Sequence, residues 1–218
     1  LGLEAGDFVA VLSMNNDRYV ELFYAIPHAG GCFAPMNVRW SEAENAYALR
    51  DCNARMLFVG TDFVEQARKL AAEFPLRAMI YMGEGAVPEG MLSYEALIAD
   101  TAPAEDAGRG GEDMYAVFYT GGTTGRPKGV MLTQKNLAFT AKQAIEVIGG
   151  LGPNDCNVSY LPLSHIAEQM FTIHVPLTAG STAWFCDDIK KNGLMSPIVL
   201  IDEKILDGRN RFQACLHV

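Results

Sequence analysis

The residues best suited to chemistry lie in one glycine- and threonine-rich segment in the middle of the chain. Residues 119–129 read Tyr-Thr-Gly-Gly-Thr-Thr-Gly-Arg-Pro-Lys-Gly and follow an apolar stretch of strand character. Glycines let backbone N–H groups approach an anion, hydroxyl groups donate hydrogen bonds to phosphate oxygens, and an ammonium group adds mobile positive charge. The segment therefore predicts a phosphate-binding loop built from Thr120, Gly121, Gly122, Thr123, Thr124, Gly125 and Lys128.

This loop differs from the Walker A motif of kinases and ATPases. That motif ends in Gly-Lys followed by Ser or Thr, whereas Pro127 precedes Lys128 here and Gly129 follows it. The plain alternative is a surface hairpin of small residues that binds nothing. Three glycines, three threonines and a lysine within nine positions favour an anionic ligand over that alternative.

The elements around the loop alternate between short apolar runs of strand type and amphipathic runs of helix type. The predicted strands cover residues 8–14, 32–35, 55–60, 78–82, 114–119, 130–132, 158–161 and 181–185. Strands separated by helices indicate an α/β fold with a mostly parallel sheet and helices on both faces. The loop would then lie at the carboxyl end of a strand, where open α/β sheets bind their ligands.

Local signals set several of the predicted helix ends. Residues Ser41–Glu44 have the spacing of a capping box, which opens a helix. Asp62 is predicted to cap the next helix, and Pro27 to kink or end the first one. A helix is predicted from Ile166 to Leu177.

Composition excludes several classes of protein. The 218 residues contain 17 Lys and Arg against 26 Asp and Glu, so the formal net charge is −9. This acidic balance argues against broad nucleic-acid binding. No apolar run approaches the roughly 18 to 20 residues that span a bilayer. Five widely spaced cysteines without a Cys-x-x-Cys pair indicate reduced thiols, and hence a cytoplasmic protein.

The segment from Thr120 to Gly129 resembles the phosphate-loop signature of the adenylate-forming (AMP-binding) superfamily, which includes the acyl-CoA synthetases. Gly121 stands where that family usually has Ser or another small residue. Residues 130–137 after the loop, and residues 6–11 and 29–37 before it, are also similar to the family. The resemblance covers about residues 1–190 and implies a partial AMP-binding domain over residues 1–191.

A second motif resembles one subfamily. Residues 159–169 read Ser-Tyr-Leu-Pro-Leu-Ser-His-Ile-Ala-Glu-Gln, similar to the strand-to-helix segment of long-chain fatty acyl-CoA synthetases. The resemblance implies that His165 contacts the substrate carboxylate or shapes the acyl tunnel. The residues alone leave another interpretation open, in which His165 starts a helix and bonds to nearby backbone. Glu168 is interpreted as a favourable charge in a first helical turn rather than as a general base.

The resemblance implies an AMP-forming fatty acid–CoA ligase that uses ATP, Mg²⁺ and coenzyme A. Lys128 and His165 would be its catalytic residues, with Lys128 on the β- and γ-phosphates and Thr120 beside the metal. The implied partners are a fatty acid, ATP and CoA, with peripheral membrane contact and no nucleic acid at the main domain. Chain length of the substrate and oligomeric state stay open.

Other segments of that family have no counterpart in the sequence. A Tyr-Gly-x-Thr-Glu segment, a Tyr-Arg-Thr-Gly-Asp segment and the carboxyl-terminal domain with its essential Lys are missing, and the first residue is Leu1. The expectation is an amino-terminal fragment with half a nucleotide site that does not turn over alone. A non-catalytic nucleotide-binding module is the alternative.

The last residues depart from the family after about residue 192. Residues 197–215 weakly resemble the start of a ParB-like domain, whose turn would use Asp207, Gly208, Arg209 and Arg211. Residues 192–218 are therefore a divergent tail. Nucleotide or DNA binding through that tail is one alternative, and a frameshift, a chimeric sequence or an ordinary strand pair is another.

Overall fold

The computed structural model describes residues 1–121 and 126–185, together with the backbone of residues 200–201 and 204–205. The chain divides into two compact units, Leu1–Asn136 and Leu137–Val218. The helix that follows the phosphate-loop segment runs from the first unit into the second.

The first unit is built from alternating strands and helices. Its strands are β1 (Phe8–Leu12), β2 (Cys32–Pro35), β3 (Met56–Val59), β4 (Ala78–Tyr81), β5 (Leu92–Ser93), β6 (Met114–Thr120) and β7 (Lys128–Thr133). Its helices are α1 (Asp17–His28), α2 (Glu42–Asp51), α3 (Val64–Glu73) and α4 (Tyr94–Asp100), followed by α5 (Gln134–Val147) at the boundary.

The seven strands form one sheet in the order β5-β4-β3-β1-β2-β6-β7. The first six pair in parallel, and β7 pairs with β6 antiparallel as a hairpin. The predicted mostly parallel α/β fold is therefore confirmed. The carboxyl ends of β1, β2 and β6 lie at the same edge, so the segment after β6 is at the ligand-binding edge of such a sheet.

Helices cover both faces of this sheet. On one face, the ring of Phe33 in β2 stacks on Phe23 and Tyr19 of α1, with ring centroids 4.4 and 6.0 Å apart. On the opposite face, alternate strand residues pack against α2 and α3. The fully buried members of this second layer include Ala10, Leu12, Ala34, Leu57, Val59, Ala46, Leu49, Ala67 and Leu70.

Two of the predicted helix ends are confirmed, and a third is wrong. The capping box of Ser41 and Glu44 is present at the start of α2, and α1 ends one residue after Pro27. Asp62 does not cap α3. A 3₁₀ turn over Thr61–Phe63, closed by the Phe63 N–H to the Gly60 carbonyl, leads directly into α3 and places Asp62 inside the turn.

In the second unit, β8 (Cys156–Ser159) pairs in parallel with β9 (Thr182–Phe185). The predicted helix over residues 166–177 is present and extends to Ala179, but it contains a π-helical turn that was not predicted. It consists of α6 (Ile166–Gln169), the π-helical turn (Met170–His174) and α7 (Val175–Ala179). Pro176 has no N–H to donate and its ring crowds the carbonyl four residues earlier, so the turn before it cannot stay α-helical.

The tail contains one described element, an antiparallel pair of β10 (Leu200–Ile201) and β11 (Lys204–Ile205). The residues proposed for a ParB-like turn, from Asp207 onward, lie outside the described residues. Within the described parts, no helix is long and apolar enough to cross a bilayer. The described cysteines Cys32, Cys52 and Cys156 are free thiols.

Candidate nucleotide site

The two ends of the phosphate-loop segment face each other in the β6–β7 hairpin. Thr120, the last residue of β6, pairs with Lys128, the first residue of β7. Directly opposed residues of antiparallel strands project to the same face, so the Thr120 hydroxyl and the Lys128 ammonium share one face of the hairpin. Both residues are exposed, as is Gly121. Gly122, Thr123, Thr124 and Gly125 lie outside the described residues.

The opposite face of the hairpin carries a tightly fitted aromatic ring. Tyr119 pairs with Gly129, whose position has no room for a side chain. A Cβ on Gly129 would lie 2.8 Å from Val117 Cγ2 and 3.2 Å from the ring of Tyr119. Gly129 thus lets the Tyr119 ring lie against the strand, away from the face that carries Lys128.

The hydroxyl of Tyr119 donates a hydrogen bond to Asp51, the last residue of α2, at 2.7 Å. The other Asp51 carboxylate oxygen accepts a longer bond from Tyr47 Oη at 3.4 Å. Burial and the bond to Asp51 both raise the pKa of Tyr119 above its usual value, so the phenol keeps its proton and acts as a donor.

The far end of the segment also contacts α2. The guanidinium of Arg126 lies over the ring of Tyr47, 5.6 Å from its centroid, and Pro127 is buried. A groove of about 730 Å³ separates α2 from this end of the segment. Its lining consists of Ala43, Glu44, Tyr47, Arg50, Asp51, Arg126 and Pro127.

A thiol beside this contact is not suited to nucleophilic chemistry. Cys52 follows Asp51 and is buried, and burial raises the pKa of its thiol to about 11. The thiolate is the reactive form, so Cys52 stays protonated near neutral pH. It therefore serves packing.

His165 lies in the second unit, at the start of α6. Its Nδ1 accepts a hydrogen bond from the Ala167 N–H at 3.2 Å, and the residue is exposed. This is the helix-start arrangement that the sequence left open. An imidazole whose Nδ1 accepts carries its proton on Nε2 when neutral, so Nε2 is left as a donor.

Glu168 and Gln169 are buried behind His165 and hold the chain around it. The Glu168 carboxylate accepts bonds from the Leu161 N–H at 3.2 Å and from the Thr172 hydroxyl at 2.7 Å. The Gln169 amide donates to the Leu163 carbonyl at 2.6 Å. With both oxygens engaged, Glu168 has a structural role, and this role comes from hydrogen bonds of a buried carboxylate rather than from the helix dipole that the sequence suggested.

The sequence assigns His174 a surface or packing role, and the structure places it at the end of the π-helical turn. Burial lowers the pKa of its imidazole to about 4. A single histidine in an apolar helical pattern does not show whether its side chain is buried. The wider π-helical turn changes the direction in which that side chain projects.

No group of three or more His, Cys, Asp or Glu side chains that could hold a metal ion occurs among the described residues. The exposed Thr120 hydroxyl is a described oxygen of the loop segment, and its chemistry suits a hard cation such as Mg²⁺.

The structure defines an α/β domain with a mostly parallel sheet, whose carboxyl edge carries the β6–β7 hairpin. The family model for "AMP-binding enzyme" matches residues 1–199. The chain belongs to the AMP-binding enzyme family.

Curated relatives of the chain include CoA ligases of different substrates. Indoleacetate–CoA ligase of Aromatoleum aromaticum is 34% identical over 80% of this chain and 34% of its own length. The long-chain-fatty-acid–CoA ligase ACSBG1 of Rattus norvegicus is 29% identical over 91% of this chain and 30% of its own length. The chain thus spans about a third of the length of these relatives.

A solved structure of ATP-bound MatB from Rhodopseudomonas palustris has the same fold. It is 26% identical to this chain with a TM-score of 0.73, covering 87% of this chain and 38% of MatB. Nucleotide binding is thus a property of a structural relative.

Proposed function

We propose that the protein is an AMP-forming ligase that joins a carboxylic acid to coenzyme A. One observation carries this proposal: Thr120 and Lys128 are paired and exposed at the carboxyl end of β6, in the segment that resembles the family's phosphate loop. Within the described residues, Lys128 makes no ion pair, so its charge is available to a phosphate. The described groups therefore fit the tail of ATP.

The proposed chemistry needs no protein nucleophile. The substrate carboxylate attacks the α-phosphorus of ATP, the bond to the bridging oxygen breaks, and pyrophosphate leaves. The thiol of coenzyme A then displaces AMP from the acyl carbon and loses its proton. The protein's task is to hold the anions in line and to neutralise developing charge, which suits a mobile lysine.

Lys128 and Thr120 have distinct parts in this proposal. Lys128 binds the β- and γ-phosphates, and the Thr120 hydroxyl donates to a phosphate oxygen or contributes to the metal. Mg²⁺, when bound, supplies Lewis-acid polarisation of the phosphates. The remaining loop residues, from Gly121 to Gly125, supply backbone and hydroxyl donors.

His165 is the proposed contact to the acyl group. Because its Nδ1 accepts the Ala167 N–H, the neutral ring presents Nε2–H as a donor. Such a donor can bond a substrate carboxylate before reaction and an acyl carbonyl afterwards. The buried bonds of Glu168 and Gln169 fix the chain on either side of His165.

We further propose a long-chain fatty acid as the substrate. Support comes from the segment 159–169 and from the match to a long-chain-fatty-acid–CoA ligase over 91% of the chain. An aryl acid is the second candidate, because an indoleacetate–CoA ligase is 34% identical. A fatty substrate would bring the protein into contact with membrane surfaces.

The test is ATP–pyrophosphate exchange by the purified protein with palmitate, indoleacetate and ferulate as separate substrates. Exchange that depends on palmitate supports the fatty-acid proposal, and exchange with the aryl acids alone contradicts it. Lys128→Ala should abolish exchange, whereas Lys142→Ala, a change of lysine on α5, should not. Exchange that survives Lys128→Ala would contradict the assignment of the site.

Calorimetric titration with ATP separates the ligase from the alternative of a non-catalytic nucleotide-binding module. Binding of ATP without exchange for any of the three acids would favour that module.

A further inference from the structure

We propose that Asp51 and Tyr47 of α2 are positioning residues for Thr120 and Lys128 of the phosphate loop. They hold Tyr119 and Arg126, which precede Thr120 and Lys128 by one and two residues, and so make nucleotide affinity depend on a helix outside the loop. This inference rests on the proposed function, because it assigns residues that prepare the same site.

The first contact fixes the start of the loop. Tyr119 directly precedes Thr120, and its ring lies against Gly129 with no room for a side chain between them. Its hydroxyl reaches the Asp51 carboxylate at 2.7 Å. The Tyr119 ring is thus held by close packing against Gly129 and by a hydrogen bond to Asp51. Together they hold the end of β6 against the end of α2.

The second contact fixes the far end of the loop. Arg126 lies over the Tyr47 ring at 5.6 Å from the centroid, a distance at which cation–π attraction acts. Tyr47 bonds in turn to Asp51 at 3.4 Å. A single carboxylate is therefore linked to both ends of the loop, directly through Tyr119 and indirectly through Tyr47.

Such a brace affects binding because ordering side chains costs conformational entropy. Thr120 and Lys128 lose less entropy on binding an anion when their neighbours in the chain are already held, so their affinity for that anion is higher. Neither Asp51 nor Tyr47 needs to touch the nucleotide for this effect. A negative charge at Asp51 would in fact repel phosphate, which sets its role apart from that of Lys128.

The test compares Asp51→Ala with Asp51→Asn and with Asp100→Ala, a matched control that also removes the last residue of a helix, α4. Calorimetry gives the Kd for ATP, and pyrophosphate exchange gives KM for ATP and for the acid. Asp51→Ala should weaken ATP binding about threefold, because the effect is indirect and the lost bond itself makes only a modest contribution. Asp51→Asn retains an oxygen acceptor and should recover most of that loss.

A merely structural role predicts a different pattern. In that case Asp51→Ala would raise KM for both substrates alike, and Asp51→Asn would not rescue ATP binding selectively. Either this pattern or an unchanged Kd for ATP overturns the inference. Tyr119→Phe supplies a second variant: if it acts through the same bond, combining it with Asp51→Ala should weaken ATP binding no further than either change alone.

The two proposals fail in different ways. Absence of exchange in the unaltered protein with every acid would contradict the ligase, while the Kd for ATP would still report on Asp51. Exchange in the unaltered protein with an unchanged ATP affinity in Asp51→Ala would contradict the brace alone. Absence of ATP binding in the unaltered protein would overturn both.

Discussion

The hydroxyl of Tyr119 donates to the Asp51 carboxylate at 2.7 Å, although 68 residues separate the two in the chain. The bond joins the strand that leads into the phosphate loop to the end of a helix on one face of the sheet. Because Gly129 opens the space in which the Tyr119 ring lies, three separate parts of the sequence meet at one contact.

A double-mutant cycle should detect this contact in the free energy of unfolding. The coupling energy between Asp51→Ala and Tyr119→Phe should be about 1 kcal/mol. This is less than a buried hydrogen bond to a charged group contributes, because Asp51 is exposed. Urea unfolding of the four proteins at neutral pH measures the coupling. Strict additivity of the two changes would show that the bond contributes nothing in solution.

Lys128→Ala should leave the Tm unchanged and weaken the binding of ATP. Lys128 is exposed and makes no ion pair within the described residues, so its truncation disturbs no packing. The expected results are a Tm within about a degree of the unaltered protein and an ATP Kd at least about tenfold higher, the scale of one charged contact. Lys128→Arg keeps the charge and should retain more affinity than Lys128→Ala; equal affinities would argue against a charge contact.

His174 should make stability fall as the solution is acidified. Its pKa is lowered to about 4 in the folded chain by burial, while the unfolded chain keeps a value near 6.5. Between these values the unfolded state binds the extra proton, so the free energy of unfolding rises with pH across this window and levels off above it. The full change amounts to about 3 kcal/mol.

Urea unfolding between pH 4 and pH 7 measures this dependence. His174→Gln should flatten the profile between pH 4 and 6.5, because the titrating group is gone. His28→Gln removes an exposed histidine and should leave the profile intact. A profile that His174→Gln does not change would show that another group causes the acid sensitivity.

Phe33→Ala should destabilise the first unit by about 3–5 kcal/mol. The side chain is fully buried between α1 and the sheet, so its loss leaves a cavity lined by Phe23 and Tyr19. Phe139→Ala, at a position 66% exposed, is the matched control and should cost less than 1 kcal/mol. Equal effects of the two changes on the urea midpoint would contradict the assignment of the core.

The sequence predicted those parts of the fold that depend on local patterns. The capping box at Ser41, the strands of the parallel sheet and the loop after β6 all follow from spacing within a few residues. The two-residue strand β5 was missed, because a pair at the sheet edge is too short to show a period. The π-helical turn before Pro176 was also missed, since the apolar pattern there suits a continuous helix.

The sequence proposed only those candidate site residues that lie in a local motif. Thr120 and Lys128 were found from one segment, whereas Asp51 and Tyr47 carry no motif and become visible only when α2 packs beside β6. His165 was found through a family resemblance, and the residues alone allowed the backbone bond that the structure contains. Long-range contacts of this kind depend on the register of the sheet, which a local pattern does not encode.

The position of β6 in the strand order has a consequence for how the chain acquires activity. The β6–β7 hairpin can form from neighbouring residues, but β6 joins the sheet through β2, some eighty residues earlier, and its brace comes from α2. Contacts between residues far apart in the sequence form late in folding, because the loop of chain between them must first be closed. Affinity for ATP, followed during refolding, should therefore emerge with the last phase of assembly rather than with the hairpin.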